Sequence, residues 1–253
     1  MADHVTPSAI PADPGWHRFT TAGRDGDHGS VVTYGSELPT EAELRLLGPI
    51  EGGRVLDLGC GNGHNAVVLA QHGAKVIAVD PDVEHLDAAR ARCDAAEVRV
   101  ELHQAALAEL AFIRSDSIDA ALSVMELATV DDLARVFRQV HRVLKPEAPL
   151  VCSFPHPAFA MIDPKAADPL RISRAYDDGS PSVWELDGRD VVDHPRTFAD
   201  LFTTFQRANF RVDQVIEPTA SGATGGRRGA APYADVMRIV PATLLLRARK
   251  QGN

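Results

Sequence analysis

Between residues 54 and 155, short apolar runs alternate with longer stretches whose apolar residues return every three to four positions. The runs Val55–Leu58, Lys75–Val79, Val98–Leu102, Ile118–Ser123 and Leu150–Phe154 read as strands. His64–His72, Val83–Arg92 and Asp131–Val143 read as the helices between them. Upstream, Thr40–Leu47 is an amphipathic helix whose Thr40 and Glu43 have capping-box spacing. Strand–helix alternation of this kind predicts an α/β fold built on a doubly wound, mostly parallel sheet. Ligands of such sheets bind outside the carboxyl ends of the strands, near the point where the strand order reverses. Leu58–Gly63, Asp80, Leu102–Leu107, Ser123–Leu127 and Phe154–His156 should therefore meet on one edge.

The rhythm breaks at both ends of this region. Residues 1–36 are rich in Pro, Gly and Asp, which favours turns and extended chain. Trp16, Phe19 and Tyr34 in that arm suit either a lid over a pocket or packing on the surface. After Phe154, a proline-rich insertion at 155–196 carries Tyr176, Trp184 and His194, and loops placed there lie over the functional edge. Pro195–Phe210 then reads as the last helix, and Arg211–Ile216 with Pro241–Arg249 as a closing hairpin. The loop Thr219–Ala231 between those strands is glycine-rich. Its Arg227-Arg228 pair could meet an anionic group or simply be solvated.

Charge and cysteine content narrow the function. With 35 acidic against 26 basic residues, the net charge is −9. That balance argues against a nucleic-acid partner, which rewards clustered Lys and Arg. The three cysteines, Cys60, Cys93 and Cys152, have no metal-type or redox-type spacing. They read as structural thiols of a reducing compartment. No secretory signal or run of membrane-spanning length is visible, so a cytoplasmic protein is expected. His28, beside Asp25 and Asp27, has no second cluster to complete a metal site, and no metal is expected.

The most informative stretch is Arg54-Val-Leu-Asp-Leu-Gly-Cys-Gly-Asn-Gly63. It is a buried strand that stops in a glycine turn before a helix. Glycines here let the chain turn sharply and lie close against a ligand. A dinucleotide site would want G-x-G-x-x-G, but the third required glycine falls on His64. Asp57 puts a carboxylate at the strand end, which suits a cationic ligand better than a diphosphate. Asp80 closes the next strand about twenty residues on, the spacing at which an acid can accept from ribose hydroxyls.

With Asp116-Ser-Ile-Asp-Ala-Ala-Leu-Ser123 and Phe137-Arg-Gln-Val-His-Arg-Val-Leu-Lys-Pro146, this stretch resembles the class I S-adenosylmethionine-dependent methyltransferases over about Tyr34 to Phe154. The resemblance implies a seven-stranded Rossmann-like sheet with one antiparallel closing strand. It implies a single domain made of an arm (1–36), a cofactor-binding core (37–154), a cap (155–196) and a sheet-completing segment (197–253). The implied cofactor is S-adenosyl-L-methionine. It would be held by Asp57, Gly59 and Gly61 in the turn, by Asp80 and Pro81 after the second strand, and by Gln104, Ala106 and Leu107 after the third. Ser123 on the fourth strand and Tyr34 in the arm would complete that site. The family places an acidic residue where Ala106 stands, so adenine recognition would fall to backbone groups, Gln104 or apolar contact.

The reaction then expected is O- or N-methylation of a small molecule in an enclosed pocket. Tyr176, Trp184 and His194 of the cap are the candidate substrate contacts. His156, flanked by Pro155 and Pro157 at the end of the fifth strand, is the candidate general base, or else a residue that shapes the turn and holds the cap. The alternatives are RNA or protein methylation, or a regulator that binds the cofactor without turnover. The sequence is silent on the acceptor and on oligomeric state.

Overall fold

A computed structural model describes residues 31–35, 38–163, 166–168, 170–186, 189–218, 234–237 and 239–252. Trp16, Phe19, His28, Arg227 and Arg228 lie outside these residues, as does the side chain of Trp184. The strands are β1 (Arg54–Leu58), β2 (Lys75–Asp80), β3 (Val100–Gln104), β4 (Ala120–Val124), β5 (Pro149–Pro155), β6 (Ser182–Leu186), β7 (Arg189–Asp193), β8 (Phe210–Ile216) and β9 (Thr243–Lys250). The helices are α1 (Glu41–Leu44), α2 (His64–Gln71), α3 (Val83–Ala95), α4 (Leu133–Val143), α5 (Phe198–Arg207) and α6 (Ala234–Met237).

Seven strands form one sheet in the order β3-β2-β1-β4-β5-β9-β8, and β6 pairs with β7 separately. Within the seven-stranded sheet β9 alone runs against the direction of the other six strands. The strand order reverses between β1 and β4, whose ladder runs only from Val55↔Ala120 to Asp57↔Leu122.

Alternation along the strands sorts their side chains onto two faces. Leu56, Leu58, Ile77 and Val79 pack with Phe137 of α4, Phe205 of α5 and Phe210 of β8. Val55, Val76, Ala78 and Leu122 pack with Ala66 and Leu69 of α2, Leu86 of α3 and Tyr34. By the same alternation, Asp57 and Asp80 belong to the α2/α3 face. Helix α4 shows how pattern becomes packing: Leu133, Val136, Phe137, Val140 and Val143 are all buried, and Asp132 caps the helix by accepting from the Arg135 N–H at 2.9 Å.

Among the predicted boundaries that move, those of three elements have a local reason. The first helix stops at Leu44 rather than Leu47 because Arg45 turns to φ 52°. The Glu41 carboxylate then accepts from the N–H groups of Leu46 and Leu47, both at 2.8 Å, in place of helical carbonyls. Strand β3 starts at Val100 rather than Val98, because α3 runs on to Ala95 and Glu97 takes φ 52°. Helix α5 is shorter at both ends. Thr197 caps its start by exchanging hydrogen bonds with Asp200, and Asn209 at φ 61° turns the chain into β8.

Candidate functional site

The glycine turn joins β1 to α2 in left-handed backbone, with φ 75° at Gly59, 52° at Gly61 and 77° at Gly63. Two of its glycines are also required by contact. A Cβ on Gly59 would lie 2.3 Å from Cγ of Glu126, and one on Gly63 would lie 2.7 Å from Cβ of Ala89 on α3. Any larger residue would push apart the turn and the segment after β4 in the first case, and α2 and α3 in the second. The turn is tied to β2 by the Gly59 and Cys60 N–H groups, which both donate to the Val79 carbonyl.

Asp80 sits at the middle of this edge, and its carboxylate organises the loops around it. Oδ2 accepts from the Gly61 N–H at 2.8 Å, while Oδ1 accepts from the Asp82 N–H at 3.0 Å and lies 3.1 Å from Nδ1 of His85. Gln104 is the β3 partner of Asp80, and its Nε2 donates to the Pro81 carbonyl at 3.4 Å. Asp57, Gly59, Gly61, Asp80, Pro81 and Gln104 are thus gathered at the carboxyl ends of β1, β2 and β3. Asp57 and Asp80 are buried, the arrangement that strengthens a carboxylate's attraction for a cation.

Four other predicted residues have different surroundings. Leu107 is in the core cluster on the α4 face. Ala106 is exposed, with its carbonyl accepting from Glu109 at 2.8 Å. Ser123 is fully buried, and its hydroxyl donates to the Leu58 carbonyl at 2.6 Å, where the β1–β4 ladder has ended. Tyr34 is likewise buried, with its hydroxyl donating to Glu41 at 2.8 Å; burial and the Glu41 charge push that phenol well above its ordinary pKa. The segment carrying Tyr34 is laid along α2 by Asn65, whose amide exchanges two hydrogen bonds with the Thr33 backbone at 3.0 and 2.9 Å.

At the other half of the edge, His156 is held from both ring nitrogens. The Ala158 N–H donates to Nδ1 at 3.1 Å, so the ring proton lies on Nε2, which donates to Oε1 of Glu217 at 2.8 Å. The His156 N–H also donates to the Ala242 carbonyl, so one residue ties β5, β8 and the approach to β9 together. In the cap, Tyr176 accepts from the Phe198 N–H at 3.0 Å, at the start of α5. His194 donates its N–H to the Ala128 carbonyl, and its ring lies 3.6 Å from Asp131. Arg196 reaches the carbonyls of Val130 and Asp131. The cap is therefore fastened to the same post-β4 segment that lays Glu126 over Gly59.

His85, Glu126 and Glu217 were missed by sequence reasoning. His85 had a signal, since it lies one helical turn beyond Asp80 at the start of α3. Glu126 had a weaker one, being two residues past the end of a strand at the functional edge. Glu217 had none, because 61 residues separate it from His156.

Among the described residues, no group of three or more His, Cys, Asp or Glu side chains could hold a metal, and no helix is long and apolar enough to cross a membrane. A methyltransferase domain family matches residues 55–147. A ubiquinone biosynthesis O-methyltransferase from Azorhizobium caulinodans is 32% identical over 111 residues, 44% of this chain and 44% of that protein. The chain spans about half the length of the curated relatives it matches. A solved structure from Listeria monocytogenes shares the fold, with a TM-score of 0.71 at 24% identity over 92% of this chain and 99% of its own. An S-adenosylmethionine dependent methyltransferase from Mesorhizobium loti superposes with a TM-score of 0.66 at 30% identity, covering 83% of this chain and 96% of its own. With the strand order, the glycine turn and the paired strand-end acids, these similarities place the chain in the class I S-adenosylmethionine-dependent methyltransferases.

Proposed function

We propose that the protein transfers a methyl group from S-adenosylmethionine to oxygen or nitrogen of a small-molecule acceptor. The observation that carries this reading is the buried pair Asp57 and Asp80 around a left-handed glycine turn at the carboxyl edge. Asp80 would accept from the ribose hydroxyls, and the turn would lie close against the ligand. Asp57 would favour the ligand's positive charge. Pro81 and Gln104 would hold the base, with Gln104 supplying the polar contact that Ala106 does not. S-adenosylmethionine, when bound, supplies a methyl group on a positively charged sulfur. The chain's task is then to position the acceptor and exclude water, which can supply most of the rate gain without an acid–base pair.

The cap supports an enclosed small-molecule site. His194 and Arg196 fasten it to the segment that touches the glycine turn, so acceptor and cofactor would share one wall. Tyr176, Trp184 and His194 remain the proposed acceptor contacts. For His156 the hydrogen bonds favour positioning over proton abstraction, since its acceptor nitrogen is already satisfied by the Ala158 N–H. The acidic net charge disfavours nucleic acid as acceptor, and three buried cysteines fit a reducing cytoplasm. The relative's printed role in O-methylation supports oxygen as the methylated atom.

Calorimetry with S-adenosylhomocysteine tests the cofactor half. Asp80→Asn is expected to bind it about ten- to a hundredfold more weakly than wild type. Equal affinities would remove Asp80 from the site. Incubation with S-adenosylmethionine and a metabolite extract tests the whole reading, and no formation of S-adenosylhomocysteine would refute it.

A further inference from the structure

We propose that the amino edge of the sheet carries a second binding site, a cleft that takes a compact multivalent anion bearing phosphate or carboxylate groups. It lies at the opposite end of β1, β2 and β3 from the glycine turn, and it does not depend on the reading of Asp80 given above.

A cleft of about 670 Å³ opens there, and Arg54, Lys75 and Arg99 line it together. The strand register sets these three in one row. Arg54 is the Cα partner of Lys75, and Val76 pairs with Val100, which puts Arg99 on the far side of Lys75. Neighbouring strands are about 4.8 Å apart, so the ends of the row are roughly 10 Å apart along the backbone. Arg54 is half-buried, and Lys75 and Arg99 are exposed.

Like charges on neighbouring strands repel one another, and a fold normally offsets them with acids close by. Among the described residues, none of these three side chains forms a hydrogen bond or an ion pair. The acid whose charge acts on Arg54 is Asp119, and its carboxylate already accepts from the Arg54 N–H at 2.8 Å and from Nζ of Lys145. Two carboxylates, Glu97 and Glu101, also line the cleft, and Glu101 is drawn to Nε2 of His103 at 2.7 Å. Three cations against two carboxylates leave the cleft with positive charge, in a chain whose net charge is −9. Guanidinium forks meet phosphate or carboxylate oxygens in pairs, and an ammonium between them adds a point charge. A monovalent anion would engage one arginine. An anion with charged groups at both ends would bridge the row, which selects the multivalent class.

The full chain is titrated by calorimetry with pyrophosphate and with citrate at matched ionic strength. Saturable binding is expected, and the tighter of the two assigns the phosphate or the carboxylate source. Arg54→Gln, Lys75→Gln and Arg99→Gln should each weaken it about three- to tenfold, and the triple variant should abolish it. Arg207→Gln removes the same charge from an exposed position at the end of α5 and should bind as wild type does. Affinity for S-adenosylhomocysteine should be unchanged by saturating anion. Absence of saturable binding for both anions overturns the proposal, and so does binding that the single variants leave intact. Equal weakening in Arg207→Gln would reduce the effect to net charge and overturn it too. Competition with S-adenosylhomocysteine would move the anion to the carboxyl edge and refute a second site. The single variants change one side chain at a time, so the test stands even if the triple variant does not fold.

Discussion

The two halves of the carboxyl edge are built differently. The β1–β3 half is made of strand ends and the turns that follow them. Gly61 and Asp82 meet Asp80 through backbone N–H groups, and the glycines are needed for left-handed φ and close approach. The β5–β8 half is made of side chains distant in sequence. His156 meets Glu217 across 61 residues, and Arg196 meets Val130 across 66. Backbone-built sites tolerate few substitutions but are written in a short motif. Side-chain-built sites can be re-specified residue by residue, which suits the half proposed to meet the acceptor.

The sharpest way to break this contrast is Gly59→Ala. The added methyl meets Glu126 Cγ at 2.3 Å and Cβ at 2.4 Å, on a backbone with φ 75°. A loss of about 2–4 kcal/mol in unfolding free energy is expected, from overpacking and left-handed strain together. Urea unfolding would read it, and wild-type stability would show that the turn has slack.

Next in size is His156→Ala. If the β5–β8 half positions the cap, the acceptor's KM should rise about tenfold while kcat at saturation stays within about twofold. A fall in kcat of a hundredfold or more, with KM unchanged, would restore the general-base role. Arg196→Met should act in the same direction but more weakly, about three- to fivefold in KM, because it removes hydrogen bonds from the cap's fastening and leaves the fold. Burial lowers the guanidinium's pKa, while the nearby Asp131, Asp193 and Asp200 carboxylates act in the opposite direction. Affinity for S-adenosylhomocysteine should not change in this variant; a loss would mean that the halves are coupled.

The smallest effect lies at the sheet edge beyond the acceptor half. Burial works against the charge of Asp213, but hydrogen bonds from Arg247 and Arg249 outweigh it and hold its pKa below the carboxylate norm. A group whose folded-state pKa is depressed adds stability above its unfolded value of about 3.9, and loses it as pH falls through the folded-state value. Asp213→Asn should cost about 0.5 kcal/mol at pH 7 and flatten the loss of stability below about pH 4. Parallel acid limbs in wild type and variant would remove Asp213 from that titration.

The amino-acid sequence by itself determined the strand–helix alternation, the place of the glycine turn and the two strand-end acids. Those features arise from interactions between near neighbours: apolar period, glycine's freedom at positive φ, and a carboxylate at the end of a strand. Its reach faded with sequence distance. That Ser123 donates to Leu58 and that His156 meets Glu217 depend on which strands lie side by side. Only the tertiary structure decided these, because a hydroxyl or imidazole reads the same in sequence whether it faces a ligand or a neighbouring carbonyl. The partner is chosen by packing over tens of residues, and local pattern carries no trace of it.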